Sequence, residues 1–329
     1  KIMKEILTDI LIVGGGLTGL LAALSLSSNN NQIVLIDRYD FTNLPKQNVD
    51  LRTTAIAEGS KIFFEKINIW SALAKYAKPI KFIKVIDRED HKKIHFQNQK
   101  KNKNLEYIIN NNIIKNILVN ILQNKKNVTM IKGSTLVKLL YVDDFVLAKL
   151  DNKNIKASLL IAADGKNSIV RKILKTPVYF KKYNHKAMVV NFNHTTDHKN
   201  TAYELFYDSG PLAILPMMPM KKNLFSSSVI WSNTDNFVTQ MSKVDKSLIK
   251  KIIEEKTSKY LGQINNIVDL QTFNLSAHIN RKFYDRRLIY IGDSAHSIHP
   301  IAGQGWNLGI RDIQNIFNII EGGLSLGLD

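Results

Sequence analysis

The sequence predicts an α/β protein in which a parallel sheet flanked by helices is interrupted by a second, mostly antiparallel sheet. Three observations predict it. Residues 6–13, 33–36, 159–162 and 288–291 are short apolar runs rich in branched side chains, as strands buried on both faces require. The runs at 6–13 and 33–36 bracket a glycine turn and a segment with helical spacing, which makes a β-α-β unit. From Pro177 to about Phe283 the texture changes to alternating strands with turn signals at 208–211 and 216–219.

Taken in order, residues 14–18 form the turn after the first strand and 20–26 the helix. Residues 56–76 carry helical periodicity, ended by Pro79, and 80–86 and 94–96 alternate as strands do. A polar Lys/Asn loop leads to an amphipathic helix over 113–122, and strands are expected at 128–131, 136–141, 145–150 and 159–162. Within the inserted region 247–261 reads as a helix. Residues 288–291 return to a buried strand, and 310–320 read as the last helix. The two ends of the chain therefore form one discontinuous domain, 1–79, 105–176 and 284–329, and the insert is 80–104 with 177–283.

Composition narrows the chemistry. The chain contains no cysteine, which excludes disulfides, thiolate metal sites and cysteine nucleophiles, so redox chemistry must come from a cofactor. Lys and Arg number 46 against 28 acidic residues, a net +18, and such a field favours anionic surfaces such as phospholipid headgroups or nucleic acid. The excess is mostly Lys scattered among Asn and Ile, as a compositional bias would leave it, and no nucleic-acid motif accompanies it. The uncharged stretch 10–26 follows Lys1 and Lys4, but Gly14, Gly15, Gly16 and Gly19 break it. Neither a signal peptide nor a membrane span is expected there.

Three strand ends carry motifs. Gly14, Gly16 and Gly19 form G-x-G-x-x-G directly after a strand and opening a helix, a Rossmann-like arrangement. Its glycines allow a tight turn, close approach of a pyrophosphate and close helix–strand packing. Asp37 closes the second strand, where an acid binds ribose hydroxyls. Asp164 and Gly165 sit at a second strand end, followed by Ser168 and Arg171 entering a helix. The third stretch reads YIGDSAHSIHPIAGQGWN: Asp293 ends a buried strand, and Gly303, Gln304 and Gly305 form a loop before Asn307 begins a helix. Amides of such a loop and helix can meet a flat, electron-rich ring and stabilise negative charge on it. His296 and His299 invite a metal reading, but Pro300 breaks the helix there, no third ligand is spaced nearby, and H-E-x-x-H is absent. A structural role is expected for both. No G-x-S-x-G elbow or P-loop occurs.

GDSAHSIHPIAGQGWNLGIRD, together with GGGLTGL, IDR at 36–38, RTTAI at 52–56, AADGKNSIVR and AYELFYDSGPLAILPM, resembles the FAD-dependent ubiquinone-biosynthesis hydroxylases related to para-hydroxybenzoate hydroxylase. The resemblance covers nearly the whole chain. It implies a Rossmann-like FAD-binding domain with an inserted, mostly antiparallel substrate domain. It assigns Gly14, Gly16, Gly19 and Asp37, with Arg38 beside it, to the ADP half of FAD, and Arg52 to a cofactor contact after the second strand. It assigns Asp164 and Gly165 to FAD and nicotinamide binding and Asp293 to the ribitol. Pro300, Gly303, Gln304, Gly305 and Asn307 would frame the isoalloxazine. The implied reaction has NADPH or NADH, or another donor, reduce FAD, after which oxygen forms a flavin C4a-hydroperoxide that hydroxylates a polyprenyl phenol. No catalytic base is assigned.

Two departures accompany the resemblance. Asn110, Asn111 and Asn112 stand where the family commonly has Glu-Asn-Arg, which removes a cationic contact to FAD. Relatives continue beyond Asp329 through further helices, so a shortened chain with exposed apolar surface is the expectation. Both features keep a noncatalytic FAD-binding scaffold as the rival reading, and a hydroxylase of a soluble phenol is another. A flavin halogenase is disfavoured because W-x-W-x-I-P is absent. An insoluble polyprenyl substrate implies a cytoplasmic protein in peripheral contact with the inner face of the membrane and with other ubiquinone-pathway proteins. Tyr203, Phe206, Phe225 and Trp231 are read mainly as core, with a substrate pocket as the alternative.

Overall fold

A computed structural model of the chain describes residues 5–28, 30–42, 50–87, 92–99, 103–142, 144–298 and 305–325. β1 (Glu5–Val13) leads through the glycine turn into α1 (Leu17–Ser27) and β2 (Ile33–Asp37). Next come β3 (Thr53–Ala57), α2 (Glu58–Lys66), α3 (Trp70–Ala74), β4 (Lys78–Ile80), β5 (Phe82–Asp87), β6 (Lys93–Gln97), β7 (Glu106–Asn110) and α4 (Asn111–Gln123). β8 (Val128–Lys132), β9 (Leu136–Val142), β10 (Phe145–Leu150) and β11 (Asn154–Ala162) precede α5 (Ile169–Ile173). The insert holds β12 (Val178–His194), β13 (Thr201–Tyr207), β14 (Gly210–Met217), β15 (Phe225–Thr234), α6 (Asp235–Met241), α7 (Lys246–Leu261) and β16 (Ile264–Asn280). The chain returns through β17 (Tyr284–Asp285), β18 (Leu288–Tyr290), a 3-10 turn at Gly292–Ser294, β19 (His296–Ser297) and α8 (Gly305–Ser325).

The first sheet runs β17-β18-β11-β1-β2-β8, and its five strands from β18 to β8 are parallel. Ile12, Leu35 and Ile161 lie beneath α1, α4 and α8, packed on Leu20, Leu21, Leu118 and Ile313. Leu11, Val34, Ile36 and Leu160 point to the opposite face, against Leu139, Val146 and Ala148 of the β9–β10 hairpin and Val170 of α5. This is why the strands read as unbroken apolar runs. Each fully buried Leu or Ile contributes roughly 1.5–3 kcal/mol. β11 divides its edge: its first half pairs antiparallel with β10, and Leu160–Ala162 pair in parallel with β18.

The second sheet, β19-β16-β12-β15-β14-β13-β5-β6, is antiparallel except where β13 and β5 run together. Met188, Val190, Phe192, Val229 and Trp231 face α6 and α7, where Ile249 and Ile253 close the core. Tyr203 stacks on Tyr260 with ring centroids 4.3 Å apart, and Trp231 meets Phe237 at 5.0 Å, so both aromatics belong to this core. Phe225 stacks on His194, and Phe206 is exposed.

Between the two sheets lies a third, β3-β7-β4. The helical reading of 56–76 is corrected at its start: Ile56 lies in β3, and the helices are α2 and α3. Ala55, Ile80 and Ile108 of this sheet pack on Ala202, Ala213, Leu215 and Met217 of the second. α6 was likewise not anticipated.

Candidate functional site: three strand ends and a helix N-terminus

β1, β11 and β18 are neighbours in parallel, so their C-terminal ends emerge along one edge. The Ala163 N–H donates to the Val13 carbonyl at 2.8 Å, and the Ile291 N–H to the Ala162 carbonyl at 3.0 Å. Pairing thus continues to the residues that begin each motif.

At the first end Gly14 has φ +117°, and a Cβ there would run into the Ala163 carbonyl. A Cβ on Gly19 would overlap the Gly14 carbonyl, so α1 and the turn touch only because residue 19 has no side chain. Gly16 differs: a Cβ there would meet nothing within 4 Å. It is the N-cap of α1, which has no side-chain cap and no acidic residue in its first turn. The first amides of α1 are therefore left for another acceptor. Asp37 accepts from the Gly15 N–H at 2.7 Å and the Tyr39 N–H at 2.9 Å, which fixes its carboxylate beside the turn. Arg38 is exposed, its guanidinium 4.7 Å from the Tyr39 ring.

At the second end Gly165 has φ +77°. One oxygen of Asp164 accepts from the Val170 N–H at 3.1 Å, while Oδ1 is buried and has no partner among the described residues. Burial pushes this carboxyl up, against the pull of Ser168 and the Val170 amide. Arg171 donates to the Ser294 carbonyl at 2.9 Å and to the Lys166 carbonyl, tying the second strand end to the third. His278 Nε2 lies 2.9 Å from the Asp293 carbonyl. A carbonyl only accepts, so Nε2 carries the hydrogen, and the buried Nδ1, which has no partner among the described residues, is a bare acceptor. Burial and then Arg171 lower the pKa of this imidazole, keeping it neutral.

At the third end the Gly292 N–H donates to Asp312 Oδ2 at 2.8 Å, which docks α8 against the turn carrying Asp293. His296 Nε2 contacts the same oxygen at 2.8 Å. Trp306 donates its indole N–H to Thr18 at 3.2 Å, joining α8 to α1. Asn307 accepts from the Ala57 N–H and the Ser60 hydroxyl and donates to the Ala55 carbonyl at 2.7 Å, so its side chain anchors β3 and α2. Gly305 opens α8, and a Cβ there would meet no atom of the described residues within 4 Å. Pro300, Gly303, Gln304 and His299 lie outside the described residues.

Arg52 bridges toward this edge. It forms a two-pronged pair with Asp50, at 2.8 Å in both contacts, and lies 4.7 Å from the Phe273 ring. Burial opposes its charge, but Asp50 and then Asp293 outweigh that and raise its pKa. Asp50 also accepts from Asn111, which accepts in turn from the Thr54 hydroxyl at 2.6 Å. Asn110 caps α4 through its side chain. Two of the three asparagines in the departure from the family pattern thus have local structural work. Burial lowers the pKa of Lys166, with Asp293 opposing and Arg52 adding to the shift, so this lysine lies within charge range of both.

A family model described as "FAD binding domain" matches residues 7–322. The chain belongs to that family. Among curated relatives of this FAD binding domain protein, it is 29% identical to ubiquinone hydroxylase UbiL of Rhodospirillum rubrum over 322 residues, covering 98% of this chain and 74% of the relative. It is 26% identical to the 3-demethoxyubiquinol 3-hydroxylase of Escherichia coli over 325 residues, covering 97% and 81%. The crystal structure of p-nitrophenol 4-monooxygenase from Pseudomonas putida superposes with a TM-score of 0.79 at 17% identity, over 99% of this chain and 82% of that one, and shares the fold.

FAD is the cofactor, and the donor set fits it. The uncapped α1 amides beside an open Gly16 suit a diphosphate. Asp164 Oδ1 and His278 Nδ1, which have no partner among the described residues, offer acceptors on the same edge. The residues that sequence reasoning missed are Asp50, Asn111, His278 and Asp312. Each has a tertiary partner, and the local signals were the D-x-R spacing of Asp50 and Arg52, the place of Asn111 in the asparagine run and that of Asp312 at the end of the GDSAHSIHPIAGQGWNLGIRD stretch.

Proposed function

We propose that this protein is an FAD-dependent monooxygenase that hydroxylates the aromatic ring of a polyprenyl phenol in ubiquinone biosynthesis. The carrying observation is the convergence of three strand ends, at Gly14, Asp164 and Asp293, beside an uncapped helix N-terminus. Full-length similarity to curated ubiquinone hydroxylases supports the choice of reaction.

In this reading Gly14, Gly16, Gly19 and the α1 amides hold the diphosphate, and Asp37 holds the adenosine ribose. Asp293 binds the ribitol, Arg52 contacts the cofactor, and the Gly303–Asn307 stretch is assigned to framing the isoalloxazine. Asp164 and Gly165 serve FAD and the incoming nicotinamide. FAD, when bound, supplies the oxygen activation, with NADPH or NADH as the reductant. The chain's own residues bind, orient and keep water out. Arg171 locks the two loops that carry Asp164 and Asp293, so their carboxylates keep a fixed spacing. Neutral His278 presents an acceptor without adding charge.

No helix among the described residues is long and apolar enough to cross a membrane. A peripheral membrane contact is part of the proposal. Tyr179, Ile279 and Phe283 are exposed beside the exposed Lys182, Arg281 and Lys282, a mixture suited to an anionic lipid surface.

The test is complementation of bacterial strains that lack individual ubiquinone-pathway hydroxylases, with quinone intermediates identified by mass spectrometry. Rescue of one strain, with loss of its accumulated intermediate, is the expected result. Rescue of none by a well-expressed gene rejects the reading.

A further inference from the structure

The face of the second sheet turned away from α6 and α7 holds an internal comparison. Two rungs of the β12–β15 ladder on this face pair an asparagine with a serine: Asn193 opposite Ser226, and Asn191 opposite Ser228. All four side chains are buried, none more than 3% exposed. The first rung is closed. The Ser226 hydroxyl donates to Asn193 Oδ1 at 2.8 Å and accepts from the Met220 N–H at 2.9 Å, and Asn193 Nδ2 donates to Asn266 at 3.1 Å.

The second rung is open. Asn191 Nδ2 donates to the Leu51 carbonyl at 3.0 Å, which fixes the amide and leaves Oδ1 as the other atom. That Oδ1 is buried and has no partner, and neither has Ser228 Oγ, among the described residues. Buried polar atoms left unpaired cost stability, so a rung that keeps two of them calls for a ligand.

The open rung lies beside the segment that carries Arg52. Leu51 lies over it, held by Asn191 and, through its N–H, by Gln271 at 3.0 Å. The next residue is Arg52, which lies over Phe273 and feels Asp293. Leu215 stands opposite Ser228, and Ile230 and Ala213 pair one rung along on the same face. Apolar side chains therefore border the two polar atoms.

We propose that Asn191 and Ser228 form the recognition site for the hydroxyl group of a neutral phenol. The phenol O–H donates to Asn191 Oδ1, and the Ser228 hydroxyl donates to the phenol oxygen. A hydroxyl is one donor and one acceptor, which is what the rung lacks. A carboxylate or nitro group offers acceptors alone, and leaves Asn191 Oδ1 unpaired. The inference rests on the hydroxylase reading above and specifies the substrate class at that site.

The experiment titrates the FAD-loaded protein with 2-prenylphenol and with its methyl ether, read by the flavin absorbance change, and records the thermal midpoint of each variant. Wild type binds the phenol about tenfold more tightly than the ether, which lacks the donor. Ser228→Ala loses about fivefold to tenfold in phenol affinity while its midpoint stays level or rises, because an unpaired buried hydroxyl has been removed. Ser226→Ala, on the closed rung, lowers the midpoint and leaves phenol affinity unchanged. Wild-type affinity for the phenol in Ser228→Ala, or equal binding of ether and phenol, overturns the proposal while leaving the hydroxylase reading intact. A wild-type protein that holds FAD but binds no phenol overturns both.

Discussion

His296 Nε2 lies 2.8 Å from Asp312 Oδ2, the same oxygen that accepts the Gly292 N–H. One carboxylate on α8 therefore holds both the turn before Asp293 and the imidazole after it. The hydrogen bond that His296 donates to Asp312 raises the pKa of the imidazole, partly offset by burial. Its stabilising contribution is complete below the ordinary value of 6.5 and is lost as pH rises through the raised value.

Asp312→Asn removes the charge and weakens both contacts. We expect a loss of about 1–3 kcal/mol and weaker FAD retention. The alkaline fall in thermal midpoint attributable to His296 should disappear in this variant. A pH profile parallel to wild type would refute the coupling.

Glu204 is 5% exposed and its Oε2 has no partner among the described residues. Burial pushes its pKa from 4.5 up to about 7. The folded protein therefore holds a proton that the unfolded chain releases, so stability falls as pH rises through this interval, by about 3 kcal/mol in total. Glu204→Gln should flatten that fall, and denaturant titrations at acidic and mildly alkaline pH measure it. An unchanged slope would show that Glu204 is not the group responsible.

The strand ends were the most legible part of the site. Gly14, Asp37, Asp164 and Asp293 each follow an apolar run, and the sheet places such residues at one edge by its parallel pairing alone. β3 and β7 were not legible. Four of the five residues of Thr53–Ala57 are buried, so the strand shows no alternation and merges with the helical spacing of α2. Its partner, Glu106–Asn110, lies beyond a Lys/Asn-rich loop, and pairing across some fifty residues leaves no local pattern. His278 and Asp312 escaped for the same reason: their roles are set by partners distant in sequence.

Gly16 and Gly19 separate binding from packing. Gly16→Asp places a capping carboxylate at α1, where a Cβ has room, so the FAD-free protein should keep or gain stability. The same charge repels a diphosphate, and FAD affinity should fall by at least about tenfold. Gly19→Ala forces a Cβ onto the Gly14 carbonyl and should cost about 1–3 kcal/mol in folding itself. Flavin fluorescence titration and thermal melts distinguish the two effects. Equal FAD affinity in Gly16→Asp and wild type would remove the diphosphate from this turn.

We propose that the edge formed by Gly14, Asp164 and Asp293 holds FAD for hydroxylation of a phenol. The most direct measurement supplies the FAD-loaded protein with NADPH or NADH, isotopically labelled oxygen gas and 2-prenylphenol, and analyses the products by mass spectrometry. The account predicts a new ring hydroxyl carrying the label, formed only when all components are present. Oxidation of the nicotinamide with release of hydrogen peroxide and no labelled ring product, across phenols of increasing prenyl length, would contradict it.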